Sequence, residues 1–139
     1  MYSRILVPID LDEPNSWGKA VRVGQAMAEA FDASLTLCTV VPDKVAAIEA
    51  QWSRLSYQAL LDKASAKLAL LADDLGANDL GTEVGMGNVT SGVLSVAEKI
   101  EADLIVLSSH RPKMKDWLIG ANASRIVRHA SCSVLVVRD

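Results

Sequence analysis

Short apolar runs alternate with longer amphipathic stretches along the chain, and this alternation limits the folds available to it. Four runs are mostly apolar and rich in β-branched residues, which is typical of strands buried on both faces. They are residues 4–9, 34–41, 103–107 and 133–137. A fifth run at 81–85 is interrupted by Gly and suits the edge of a sheet. The pattern predicts one doubly wound α/β domain over residues 1–139, with a parallel sheet between two helical layers.

The stretches between these strands have apolar residues spaced three and four apart, which predicts helices. Pro14 suits the first turn of the first helix, and Thr90 or Ser91 can cap the third. Gly76 and Asn78 are expected to end the second. The predicted helices span residues 17–31, 45–75, 90–100 and 120–129.

Composition and charge exclude several classes of function. The chain has 139 residues, 14 Lys and Arg against 17 Asp and Glu, and a formal net charge of -3. We therefore expect no nucleic-acid partner, because counterion release needs a basic surface. No apolar stretch approaches the roughly 20 residues of a membrane span, and the first residues show no cleavage site, so we expect a cytoplasmic protein. Cys38 and Cys132 lack metal-ligand spacing and are expected to be reduced thiols.

In such a fold, ligands bind at the carboxyl ends of the strands, beside the point where the strand order reverses. No segment matches the P-loop, and Gly85-Met86-Gly87 continues with Thr90 where a dinucleotide fingerprint needs Gly. The loop after the strand at 103–107 contains more polar groups that could bind a ligand. It has hydroxyls, His110 and three cationic side chains, and a helix is predicted to begin at Gly120. A helix start with free N–H groups favours an anion. A solvated surface loop explains the same residues equally well.

Three segments carry a family resemblance: ILVPID, DLIVLSSHRP, and Gly120-Ala121-Asn122-Ala123 followed by RIVRHASCSVLVVR. Together they resemble the universal stress protein family, and most closely its F/G type. The resemblance implies an adenine nucleotide alpha hydrolase-like fold with five parallel strands in the order 3-2-1-4-5. It also implies a homodimer, in which the last strand, Ser133 to Arg138, pairs antiparallel with its two-fold mate.

The family contains members that bind ATP and members that do not. Its ATP motif, G-x-x-G followed by G-[ST], falls here on Ser108, Arg111 and Gly120-Ala121, so one of its three glycines is present. Ala121 lacks the hydroxyl of the motif. The resemblance and the strand ends together predict these nucleotide-binding residues: Pro8, Ile9, Asp10, Val40, Gly87, Leu107, Ser108, Ser109, His110, Arg111, Pro112, Gly120, Ala121 and Asn122.

The resemblance favours a stress-response protein that binds an adenine nucleotide, ATP with or without Mg²⁺, as a regulatory ligand. Paired carboxylates beside a lysine, which rapid phosphoryl transfer needs, are not visible, so at most slow hydrolysis or self-modification is expected. Two alternatives stay open: a nucleotide-free dimeric interaction module of the same family, and, more remotely, a phosphoacceptor receiver domain. Asp10 can contact the nucleotide or cap the first helical region, and Trp17 is expected to pack in the core or at an interface.

Overall fold

A computed structural model describes residues 1–42, 54–76, 79–109 and 120–138, in which strands and helices alternate. The strands are β1 (Arg4–Pro8), β2 (Ser34–Pro42), β3 (Leu80–Gly87), β4 (Leu104–Ser108) and β5 (Ser133–Val137). The helices are α1 (Gly18–Phe31), α2 (Arg54–Asp74), α3 (Val89–Lys99) and α4 (Ala121–His129).

The five strands form one parallel sheet in the order β3-β2-β1-β4-β5, which confirms the predicted fold class and strand order. β1 lies at the centre, where Ile5 is in register with Leu35 of β2 and Leu104 of β4. β3 is an edge strand, as its glycines predict, but it extends to Gly87. The carboxyl ends of β1, β2 and β4 therefore meet at one side of the sheet.

Helices cover both faces of the sheet, because the side chains of each strand alternate between two cores. On one face Ile5 and Val7 pack with Val21 of α1 and Leu68 of α2. On the other face the core is formed with α3 and α4, and it contains Leu6, Cys38, Val93, Val96, Ile105, Leu107 and Ile126. This double burial explains why the central strands β1 and β4 are almost entirely apolar instead of alternating with polar residues.

Two predicted helix starts are wrong. Pro14 lies outside α1, which begins at Gly18. Residues 10–16 form turns instead: the Glu13 amide donates to the Asp10 carbonyl, and the Ser16 amide donates to the Glu13 carbonyl. The third helix is capped by Asn88 instead of Thr90 or Ser91. Asn88 has an extended backbone, and its Oδ1 accepts a bond from the Ser91 amide at 2.8 Å.

The end of α2 agrees with the sequence, since Gly76 follows it in the left-handed region with φ 72°. Phe31, the last residue of α1, is 36% exposed and contacts the Tyr2 ring edge-on, with centroids 5.8 Å apart. Predictions for residues 45–53 and for Asn78 lie outside the described residues. No helix in the described ranges combines the length and apolarity that crossing a membrane requires.

Candidate functional site

A cleft of about 570 Å³ opens at the carboxyl ends of β1, β2 and β4, beside the reversal of strand order. Strand ends, the loop after β1 and the first turns of α3 and α4 surround it. Its described lining consists of Pro8, Ile9, Asp10, Asp12, Glu13, Ser16, Trp17, Cys38, Thr39, Val40, Pro42, Val89, Val93, Leu107, Ser108, Ser109, Gly120, Asn122, Ala123 and Ile126. This is where a doubly wound sheet binds ligands.

One wall of the cleft is apolar. Val40 of β2 and Leu107 of β4 meet Val93 of α3 and Ile126 of α4 there. Their position follows from the sheet: the helical residues that pack against the strands near the carboxyl edge also border the cleft. A flat, weakly polar ring would remove this surface from water, which is a favourable change of roughly 25 cal/mol per Å² of apolar area.

The loop after β1 forms an acidic rim. Asp10 Oδ1 accepts a bond from the Asp12 amide at 3.0 Å, and the Trp17 indole N–H donates to the Asp10 carbonyl at 3.0 Å. Trp17 also packs against the core beneath α1, as expected from the sequence. With Glu13, the rim presents three carboxylates, and the described lining contains no Lys, Arg or His.

The start of α4 faces the cleft from the other side. Gly120 is its N-cap and is buried, and its carbonyl accepts the first helical bond from the Ser124 amide at 2.9 Å. Gly120 has no side chain to cap the helix, and no other side chain in the described ranges bonds to its first amides. The Thr90 hydroxyl of α3 is 3.5 Å from Asn122 Oδ1, at the limit of a hydrogen bond. The first amides of α4 are thus left available for an acceptor on a ligand.

The end of β4 is attached to its neighbours. The Ser108 hydroxyl donates to the Ser16 carbonyl, which joins β4 to the loop before α1. Ser109 donates to the Val137 carbonyl through its amide at 3.1 Å and its hydroxyl at 3.3 Å. These bonds fix the carboxyl end of β4, which residues 110–119 follow in the chain.

The thiol in the cleft is neutral at physiological pH. Burial, with a smaller effect of the Glu83 charge, raises the pKa of Cys38 to about 12. Burial and the Asp103 charge also raise the pKa of Cys132. Both cysteines are unpaired. Cys38 therefore contributes an uncharged surface and not a nucleophile.

Most predicted site residues that the structure describes lie together in this cleft. They are Pro8, Ile9, Asp10, Val40, Leu107, Ser108, Ser109, Gly120 and Asn122. Gly87, at the end of β3, and Ala121, exposed at the start of α4, do not line it. His110, Arg111 and Pro112 lie outside the described residues, as do Lys113 and Lys115.

Sequence reasoning missed several lining residues, among them Thr39, Trp17 and the α3 and α4 residues Val93 and Ile126. Thr39 had a usable signal, because it is a polar residue near the end of an apolar strand. Val93 and Ile126 had none, since their spacing only predicts a core-facing helix. No cluster of metal-ligating side chains occurs among the residues described.

A doubly wound sheet with an apolar cleft at its switch point is the arrangement in which α/β proteins commonly bind small ligands. A profile of the Universal stress protein family matches residues 1–138. Universal stress protein G of Salmonella typhimurium is 30% identical over 143 residues, covering 99% of this chain and 100% of that protein. The chain belongs to the universal stress protein family.

Solved structures share the fold. A universal stress protein in complex with cAMP has a TM-score of 0.62 and 22% identity, covering 99% of this chain and 97% of its own. A family member from Arabidopsis thaliana with AMP bound has a TM-score of 0.63 and 15% identity, covering 99% and 92%.

Proposed function

We propose that this protein binds an adenine nucleotide in the cleft, and that ATP is the ligand through which it acts in a stress response. The composition of the cleft carries the proposal: its lining combines an apolar wall with the start of α4, whose first amides bond to no described side chain. These two features suit a base and a phosphate respectively. The cAMP and AMP complexes of relatives with this fold support the class of ligand.

The charges of the cleft determine how ATP would be held. Asp10, Asp12 and Glu13 would repel a triphosphate, so the phosphates are expected away from this rim and near α4. Mg²⁺ bound to the phosphates would lower the repulsion, because it is a hard cation that prefers oxygen ligands. The sequence also supplies Arg111, Lys113 and Lys115 between β4 and Gly120.

Calorimetric titration of nucleotide-free protein with Mg-ATP tests the proposal directly. We expect saturable 1:1 binding, with competition by AMP. Absence of heat and of competition at millimolar ligand would rule out a nucleotide function. Turnover is expected to be slow at most, and release of inorganic phosphate measures it in the same samples.

A substitution at Gly120 tests where the ligand binds. Gly120→Val adds a side chain at a buried position beside the free amides of α4, so Mg-ATP binding should be lost while the fold is kept. Gly18→Val is the matched control. An added Cβ there lies 3.7 Å from Arg22 Nη1, in ordinary contact, and Gly18 is not among the described residues that line the cleft. Equal affinity in both variants would place the ligand elsewhere.

A nucleotide-free interaction module is the second candidate, and two observations favour it. Ala121 has no hydroxyl for a phosphate, and the described lining carries three carboxylates without a cation. Mass spectrometry of freshly purified, denatured protein addresses this alternative, because a co-purifying adenine nucleotide would exclude it.

The proposal includes a homodimer through β5 in the cytoplasm. β5 pairs with β4 on one side only, at the edge of the sheet, and Leu135 on this strand is 36% exposed. An apolar edge strand is a ready site for pairing with a second copy. Sedimentation velocity across a range of protein concentrations measures the association.

A further inference from the structure

The sheet divides into two halves at its carboxyl edge. β1 and β2 are in register along all five residues of β1, and the Ile9 amide beyond them still donates to the Cys38 carbonyl at 2.8 Å. β4 and β5 likewise stay in register up to Ser108. Among the residues described, β1 and β4 are in register at two positions, the second of which is Leu6. The cleft opens where this central ladder has stopped.

Pro8 explains why the ladder between β1 and β4 stops. The amides of successive strand residues point to opposite neighbours. Because the Ile9 amide points to β2, the backbone nitrogen of Pro8 faces β4, as that of Leu6 does. Proline has no N–H and cannot donate there. The sequence itself therefore ends the hydrogen bonding between the two halves at the edge of the cleft.

Ser108 connects the two halves again beyond this gap. Its part-buried hydroxyl donates to the carbonyl of Ser16, in the loop of residues 10–17 that follows β1 and forms the acidic rim. A second bond runs from Lys19 Nζ of α1 to the Arg138 carbonyl at 2.5 Å, but it is exposed and water competes for it. The Ser108 bond is thus the better protected link between this rim loop and β4.

The rim loop is braced by hydrogen bonds of its own. The Glu13 amide donates to the Asp10 carbonyl at 3.1 Å, and the Trp17 indole N–H donates to the same carbonyl at 3.0 Å. The Ser16 amide and hydroxyl both donate to the Glu13 carbonyl, at 2.9 and 2.6 Å. A segment braced in this way moves as a unit, so its distance from β4 depends on the bonds that attach it to the sheet.

We propose that Ser108 is a positioning residue for nucleotide binding: its bond to Ser16 holds the rim loop at a fixed distance from β4 and so sets the width of the cleft before a ligand arrives. The inference rests on the proposed nucleotide function, and it gives Ser108 no contact with the ligand. A cleft that is already set loses less conformational entropy when a nucleotide binds, which raises the affinity.

Hydrogen exchange of the free protein, followed by NMR at single amides, tests the link without any ligand. In Ser108→Ala the Glu13 and Ser16 amides should exchange about 5 to 10 times faster, the usual effect of one lost hydrogen bond on a local opening. Ser108→Thr keeps a hydroxyl and should restore slow exchange. The matched control is Ser34→Ala, which removes a hydroxyl that donates to the Ser3 carbonyl at 3.3 Å; both amides should be unchanged in it.

Adenosine is the probe for the effect on binding, because it carries no charge for the rim carboxylates to repel. We expect Ser108→Ala to weaken adenosine binding by a factor of about 5, since the loop must then be ordered by the ligand. Mg-ATP should lose no more than this, because a released rim also repels the phosphates less. Ser34→Ala should leave both affinities unchanged.

The two measurements together distinguish positioning from direct contact. Faster exchange with weaker adenosine binding supports the inference. Unchanged exchange overturns it, and if binding is then weaker, Ser108 contacts the ligand instead. Faster exchange with unchanged binding also overturns it, because the position of the loop would not matter to the ligand. If the wild type binds neither adenosine nor Mg-ATP, the proposed function fails and the role in binding fails with it, while the exchange rates still report whether Ser108 holds the loop.

Discussion

Gly92, in the first turn of α3, offers a sharp test of how tightly this helix packs beside the cleft. A Cβ added there would lie 2.6 Å from Val40 Cγ1, 2.7 Å from Val40 Cγ2 and 3.1 Å from the Met86 carbonyl oxygen. Favourable carbon contacts are roughly 3.5–4.0 Å, so the two carbons must separate by about 1 Å. Val40 has a short, stiff side chain with both methyls in the way, and rotation about χ1 brings little relief.

The expected cost of Gly92→Ala is the difference of two effects. Overpacking of a filled core typically costs about 1–3 kcal/mol. Replacing Gly by Ala inside a helix raises the free energy of unfolding by about 1 kcal/mol, because Ala has the higher helix propensity. We expect a net destabilisation of about 1 kcal/mol, and because Val40 lines the cleft, Mg-ATP affinity should fall as well.

Urea denaturation at neutral pH measures the first effect, and titration with Mg-ATP the second. Gly18→Ala is the matched control: its added Cβ meets only Arg22 Nη1 at 3.7 Å, so it should stabilise by about 0.4–1 kcal/mol. Val40→Ala should restore room, so the loss caused by Gly92→Ala should be smaller in that background. If Gly92→Ala stabilises as much as Gly18→Ala, the close approach of α3 and β2 is wrong.

Two further predictions concern stability. Asn88→Ala should destabilise by about 1 kcal/mol in urea denaturation, because the Ser91 amide loses its acceptor, whereas Thr90→Ala should cost less; the reverse order would restore Thr90 as the cap. The pKa of Cys38 is about 12 in the fold against 9.0 when unshifted, so the native state holds its proton while the unfolded chain loses it. Below pH 9 this thiol should leave stability unchanged, and between pH 9 and 12 it should lower the unfolding free energy by up to about 1.4 kcal/mol per pH unit. Cys38→Ala should remove this part of the slope, and an identical slope in the variant would contradict the burial of the thiol.

The central strands were predictable because burial on both faces gives them a clearly apolar sequence, whereas their order was implied by the family resemblance alone. Ile5 to Val7 and Leu104 to Leu107 have no polar residue to confuse the pattern. The cap of α3 was not predictable in the same way. Asn88, Thr90 and Ser91 are all able to cap a helix, and only the extended backbone at Asn88 decides among them.

The cleft-lining residues at the strand ends were predictable from the topology, whereas those contributed by helix packing were not. Asp10, Val40 and Ser109 follow from the strand ends, because parallel strands bring those ends to one edge. Ile126 shows the opposite case. Its helical spacing predicts burial but cannot say whether it faces a strand or an opening, since the same apolar face does both.

The two ends of the sheet use their polar groups differently. At the amino end, the Asp103 carboxylate accepts bonds from the Ser3 and Arg4 amides at 2.8 and 2.9 Å. Burial tends to raise the pKa of Asp103, but these bonds outweigh it and the pKa is lowered. At the carboxyl end, Thr39 and the first amides of α4 have no comparable partners among the described residues. Polar groups that the fold does not need for its own stability are available to a ligand, which is why the cleft, and not the amino end, is the place to look for one.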